Sequence, residues 1–333
     1  MKIGVGALAL VAMLAVACGG GGSDSTGVEG LVSLKGETIG LVALDGPASL
    51  ELRYVLQEGA GVNSKALGGD VRYMEAPGDS LPDLLQNGDV AAAVLPPQVA
   101  HSLQDDNRYQ IQARVAAAMG DLTGAPVMAT ALLTYRDEAN TNPTSLGEAR
   151  RMLRDSTSYF MANQTEALDA IAQDGELDDE FARWQAERQR IVLGDASEAI
   201  EASLVALWDA AVLTGDIAEA PVLDDVLFRE GAADEVGGGR KTVSIAVLDD
   251  AIHRAALYAI EQGTVESALV DMDVTYLSPG GLQQAIEARE YDIVEAMPLL
   301  VVTGTSRRLD LVVLSGGVQD LDSTILFSYS TGE

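Results

Sequence analysis

The sequence predicts an α/β protein of two lobes, each a mostly parallel sheet flanked by helices, and three observations carry that prediction. Short continuous apolar runs alternate with stretches of helical spacing. One strand–helix–strand–helix–strand unit occurs twice. A helix-rich stretch and a Gly-rich segment separate the two copies. Apolar strands alternating with helices belong to parallel sheets covered on both faces.

The first copy opens with Thr38 to Leu44 (TIGLVAL), rich in branched residues, followed by helical spacing from Ala48 to Leu56. Asp70 to Met74 reads as the second strand, Leu81 to Gln86 as a short helix and Val90 to Leu95 (VAAAVL) as the third strand. Ala125 to Tyr135 reads as one longer strand. From Asn142 the apolar spacing becomes helical: Thr144 to Ala162, Glu166 to Ala172, and an amphipathic helix over Ser197 to Leu213. Gly231 to Gly239 is a Gly-rich linker. The second copy follows. Val243 to Leu248 matches Gly40 to Leu44, with Asp249 and Asp45 next in each. Asp273 to Tyr276 matches Asp70 to Tyr73, and Tyr291 to Pro298 matches Gly88 to Pro96. Two lobes of one kind facing each other make a cleft.

The N-terminus reads as an export signal. Met1-Lys2 is a short positive start, Ile3 to Val16 an apolar run of about 14 residues, and Ala15-Val16-Ala17-Cys18 a small-residue cleavage site. A spanning helix needs about 20 residues. Cys18 is the only cysteine, so no disulfide forms within the chain. Its position resembles a bacterial lipobox, which implies acylation at Cys18, with 19–35 as a flexible tether. An ordinary signal peptide with an incidental cysteine is the alternative. The composition is strongly acidic, 51 Asp and Glu against 21 Lys and Arg, a formal charge of −30. That sign repels nucleic acid and anionic lipid head groups, and reads as a solvated surface.

Catalytic patterns are scarce. There is no Gly-x-Ser-x-Gly, no His-Glu-x-x-His, and no cysteine beyond Cys18 for a nucleophile or zinc site. Gly239-Arg240-Lys241-Thr242 lacks the glycine directly before the lysine and precedes a strand, so it is no phosphate loop. No metal and no cofactor are expected.

Several segments resemble the solute-binding proteins of ABC importers, in the branch handling sulfonates, nitrate, taurine and thiamine precursors. Leu34 to Gly40 (LKGETIG) resembles the "LKGKTIG" that opens that family's second lobe. Leu81 to Leu95 resembles its helix-plus-strand signature, Asn142 to Ala170 its "NPE…A…" helix, and Pro221 to Phe228 its last helix. The resemblance implies a type II periplasmic-binding-protein-like fold, a monomeric exported protein, a small-molecule solute, an ABC permease as partner and delivery after hinge closure. The lobe order departs from the family: the segment resembling its first lobe comes last, which implies a circular permutation. The expected organisation is a signal peptide at 1–18, tether at 19–35, one lobe at 36–136, helices at 137–230 packing mainly on the other lobe, linker at 231–239 and the other lobe at 240–333. Crossing strands near Met128 to Tyr135 and Thr324 to Tyr329 would form the hinge. A truncated tandem is the alternative to permutation. The alternatives to solute capture are an enzyme resembling the thiamine-pyrimidine synthases and a lipid-anchored interaction module.

In open parallel sheets, ligands bind at the carboxyl ends of strands. This selects Asp45, Gly46 and Ser49 in one lobe and Asp249, Asp250 and His253 in the other, with Leu95, Pro96, Met297 and Pro298 beside them as ligand-binding candidates. The aspartates could equally cap their helices. If Asp249 or Asp250 faces the cleft, it favours an amine or ring N–H donor over an anion. Ser49 and Asp250 are both expected outside the core.

Overall fold

The computed structural model describes residues 28–173, 178–230 and 240–331. The signal segment, Cys18 and the linker at 231–239 lie outside the described residues.

The chain starts with β1 (Thr38–Leu41), α1 (Pro47–Tyr54), β2 (Arg72–Glu75), α2 (Leu81–Asn87), β3 (Ala92–Val94), α3 (Pro97–Leu103), β4 (Tyr109–Arg114) and α4 (Val115–Thr123). Next come β5 (Val127–Met128), β6 (Ala131–Tyr135) and α5 (Arg136–Thr141). A helical stretch follows, with α6 (Pro143–Ala162), α7 (Gln164–Gln173), α8 (Asp179–Arg188), β7 (Gln189–Ile191), α9 (Glu198–Thr214) and α10 (Leu223–Val226). The second lobe holds β8 (Lys241–Leu248), α11 (Ala251–Glu261), β9 (Val270–Leu277), α12 (Pro279–Ala288), β10 (Ile293–Ala296), α13 (Leu300–Thr303) and β11 (Leu311–Gly316). The chain closes with β12 (Val318–Asp320) and β13 (Ile325–Tyr329).

The fold is α/β, with two five-stranded sheets flanked by helices. The N-lobe sheet runs β2-β1-β3-β13-β4, and the C-lobe sheet runs β9-β8-β10-β6-β11. These are the same arrangement. In each, the lobe's first three strands pair in parallel, and a strand borrowed from the other half of the chain lies antiparallel between the third and fourth.

Register shows which ends of the sheets face the hinge. β6 enters with Ala131 opposite Ala296, at the carboxyl end of β10. β13 enters with Leu326 opposite Val94, at the carboxyl end of β3. Both crossing segments therefore meet their sheets at the carboxyl edge of the parallel strands. Between the lobes they join a three-stranded sheet, β5-β12-β7, with Met128 opposite Gln319 and Arg190 opposite Gln319 on its other side.

The single strand read over Ala125 to Tyr135 is two strands, broken at Ala129-Thr130. Thr130 turns the chain there: its N–H donates to the Val318 carbonyl at 3.2 Å, and its Oγ1 accepts from the Val318 N–H at 2.9 Å. A hinge crossing needs this change of partner between sheets.

α6, α7 and α8 pack against α11 of the C-lobe, whereas α9 lies against α1 and β5. The helical stretch is thus divided between the lobes, where the sequence reading placed it mainly on the later one. α9 buries Ile200, Leu204, Leu207, Trp208, Ala210 and Ala211, and a helix apolar on several faces needs cover on more than one side. One apolar cluster therefore runs from Leu41 and Leu50 through Trp208 to Val294 and Leu299, joining the lobes.

Candidate functional site

The two turns singled out by the sequence sit at the hinge-facing edges of their sheets, but their side chains are employed differently from what their positions suggested. Asp45 is exposed and makes no cap for α1, whose N-cap is Gly46. Ser49 is core, 1% exposed, and its Oγ accepts from Arg53 Nε at 3.3 Å. Arg53 is itself buried and paired with Asp216 at 2.8 Å, which pins α1 to the end of α9. The expectation that Ser49 lies outside the core therefore does not hold, because the apolar face of α1 turns it inward with Leu50 and Leu52. Leu95 is buried, and Pro96 is the N-cap residue of α3, with its ring against Gly78. Met297 packs on the shared apolar cluster, and the Pro298 carbonyl accepts from Trp208 Nε1 at 3.4 Å.

In the C-lobe, Asp249 is exposed and holds Arg254 at 2.8 Å. Asp250 is the N-cap of α11, where Oδ1 accepts from the His253 N–H at 2.9 Å. Both carboxylates are engaged by their own helix, which removes the argument that either selects a cationic solute.

His253 is fully buried. Nδ1 lies 2.7 Å from Asp250 Oδ1, and Nε2 lies 3.0 Å from the carboxylate of Glu295, also fully buried. Glu295 had no place among the candidates, although a charged residue inside the apolar strand Ile293–Ala296 is a legible signal. Its carboxylate accepts from the Leu248 N–H at 2.9 Å and from Thr130 Oγ1 at 2.5 Å. Burial alone lowers the pKa of the imidazole, but the charges and hydrogen bonds of Asp250 and Glu295 outweigh it and hold His253 well above its usual range. Burial would raise Glu295, and the imidazolium with its hydrogen bonds reverses this, leaving it low.

From Asp250 the polar contacts continue across the hinge. Gln185 Nε2 of α8 donates to Asp250 Oδ2 at 3.2 Å and to Gln189 Oε1 at 2.9 Å. Gln189 Nε2 donates to Ser323 Oγ at 2.8 Å, and Ser323 Oγ donates to Asp320 Oδ2 at 2.7 Å. Asp320 faces Glu51 of α1 in the N-lobe. Burial, then the Asp320 charge, pushes the Glu51 carboxyl well up, and burial also raises Asp320 against its bonds from Ser323 and Thr324. Gln185 Oε1, Arg188 Nε, Asp322 Oδ1 and Glu51 Oε2 are buried without a partner. A polar ribbon thus runs from the C-lobe sheet to the N-lobe helix through both crossing segments.

α8 also reaches the N-lobe. Trp184 Nε1 donates to Gln104 Oε1 at 2.9 Å, and His101 of α3 meets the Trp184 and Phe181 rings at 5.5 and 5.7 Å. The helix therefore bridges the space between α3 and Asp250. A groove of about 250 Å³ lies elsewhere, between Arg150, Ile200, Leu204, Phe228 and Val313, and a neighbouring one of about 480 Å³ shares Arg150. Neither includes a residue selected from the sequence. Among the described residues, no group of three or more His, Cys, Asp or Glu is arranged to hold a metal, and no helix is long and apolar enough to cross a membrane.

No protein-family model matches the chain, and no curated protein sequence does. Among solved structures it is similar to the periplasmic aliphatic sulphonate binding protein of Escherichia coli, at 9% identity and a TM-score of 0.33, over 88% of this chain and 61% of that one. A binding protein component of an ABC phosphonate transporter from Pseudomonas aeruginosa gives 12% identity and a TM-score of 0.30, over 89% and 69% of the two chains. Peptide-bound OppA of Listeria monocytogenes gives 10% and 0.30, over 78% and 53%. The chain spans less than two thirds of the first of these. At these scores the likeness is partial.

Proposed function

We propose that this chain is an exported solute-binding protein that captures a small organic solute between its lobes by hinge closure and delivers it to an ABC importer. The observation that carries the reading is the repeated strand order with both carboxyl edges turned to a hinge of two crossing segments. Such an arrangement closes on a ligand by changing few backbone angles, and strand carboxyl ends are where α/β sheets bind. Screening sulfonates, pyrimidines, flavins and aromatic acids by thermal shift, followed by X-ray scattering, tests it. A solute of this role raises the melting temperature and reduces the radius of gyration. A ligand that stabilises without compaction, or no stabilisation by any member, counts against the reading.

Two finer readings accompany it. Acylation at Cys18 would anchor the protein, several acyl chains giving stable membrane attachment at about 0.8 kcal/mol per buried CH₂. Cys18→Ala should then release the protein from membranes, and retention of the variant would refute the anchor. The lobe order reads as a circular permutation within the sulfonate, nitrate, taurine and thiamine-precursor branch. Gly40 and Phe327 both pair with Ala93, so the start of β1 and the end of β13 share one edge, two strand spacings or roughly 10 Å apart. A chain beginning at 240, joining 331 to 36 and ending at 230 should fold with nearly the same melting temperature. Failure to fold would argue against permutation.

A further inference from the structure

Glu295 stands where both crossing segments pass the carboxyl ends of β8 and β10. It accepts from Leu248 N at the end of β8 and from Thr130 between β5 and β6, and Thr130 Oγ1 accepts from Val318 N of β12. His253 lies between this hub and Asp250, with a carboxylate oxygen against each ring nitrogen. A neutral imidazole has one N–H to donate, and two carboxylates call for two. The geometry is therefore that of an imidazolium.

We propose that His253 is a proton-operated latch of the hinge, holding the crossing segments to the C-lobe while protonated and releasing them when the proton leaves. Loss of the proton sets a ring lone pair against one carboxylate, inside a fully buried site where an unpaired charge is costly. That carboxylate must turn toward water. If it is Glu295, its bonds to Leu248 and Thr130 go with it, and the Val318 contact at Thr130 loosens. The Gln185–Gln189–Ser323 contacts carry the Asp250 side of the same event to Asp320.

The charged groups facing the imidazole are Asp250 on its own helix and Glu295 on β10. Of the other elements nearby, α8 contributes the neutral Gln185 to Asp250, the crossing segment contributes Thr130 to Glu295, and α6 contributes Ser156 to the Ala256 carbonyl. α7 packs the apolar Ala167 and Leu168 in the cluster that holds Ile252 and Ala256 of α11. With an anion against each ring nitrogen, the raised pKa follows. The latch is closed below the folded-state pKa of His253 and opens above it. None of this depends on a solute being bound.

The chain has two histidines, so their ring Cε1–H signals can be followed individually by NMR, and His101→Gln assigns the remaining one to His253. The expected result is an imidazolium signal from His253 that persists well above the pH at which an ordinary imidazole titrates. Beyond the intrinsic base-catalysed increase, hydrogen exchange at the Leu248 and Val318 amides should rise by roughly tenfold across the His253 midpoint, while Phe327 in the N-lobe sheet stays protected. Glu295→Gln should lower the midpoint by about one unit or more and carry the exchange transition with it. Asp250→Asn serves if that variant does not fold. A His253 midpoint at or below the ordinary imidazole value, or an exchange transition that ignores a shifted midpoint, would overturn the latch.

Discussion

Glu295 and His253 meet at 3.0 Å with neither side chain exposed to solvent, and this contact joins the end of β10 to the first turn of α11. Removing one member leaves the other charged and enclosed. Glu295→Ala should therefore destabilise the protein by about 3–5 kcal/mol, read from urea denaturation. A loss under 1 kcal/mol would mean that the imidazole is neutral.

Three of the displaced groups, all fully buried, set opposing trends in stability with pH. Glu295 is lowered, so its contribution is present above the usual carboxyl value of 4.5 and is lost as pH falls through its folded pKa. His253 is raised, so its contribution is full below 6.5 and is lost as pH rises through its folded pKa. Glu51 is raised: above 4.5 the unfolded chain releases a proton that the fold retains, so stability declines with rising pH. The pair is thus strongest between 4.5 and 6.5. A urea midpoint higher at pH 8.5 than at pH 5.5 would contradict this assignment.

Glu51 gives the sharper version. Its Oε2 has no partner and the site penalises the charge. Glu51→Gln should stabilise the protein near pH 8, by about 1.4 kcal/mol for each unit by which the carboxyl is raised. Near pH 4 the advantage should vanish. Equal stability at both pH values would show that the carboxyl ionises freely.

Asp250→Ala and Ser49→Ala differ in what they break. The first removes a helix cap and one partner of a buried imidazolium, and should cost about 3 kcal/mol or more. The second removes one long hydrogen bond from Arg53 and should cost about 1 kcal/mol, leaving solute affinity unchanged. Ser49 would return to the binding site if its replacement weakened affinity without moving the denaturation midpoint.

Gly194 links β7 to α9 in the left-handed region, with φ at +79°, and a Cβ there would stand 2.3 Å from Arg154 N and 2.4 Å from Arg150 O. The neighbouring atoms are backbone of α6 and cannot yield. Gly194→Ala should cost roughly 2–5 kcal/mol in thermal or urea unfolding. A neutral effect would place α6 farther from this turn.

The repeated unit was legible because it is local. Runs such as Val243 to Leu248 and Tyr291 to Pro298 carry their own period and turn residues, so strand, helix and lobe could be read without neighbours. The carboxyl-end turns were legible for the same reason. What their side chains do was decided only by tertiary structure. Ser49 is core because α1 packs on α9, and His253 is enclosed between two carboxylates because Glu295 arrives from strand β10 to join its local cap Asp250. Thr130 and Glu295 lie 165 residues apart. β4, β11 and β12 likewise exist as strands because partners from distant parts of the chain lie beside them. A buried polar group must find its hydrogen bonds wherever the fold supplies them, and a single sequence carries no record of which distant residue that will be.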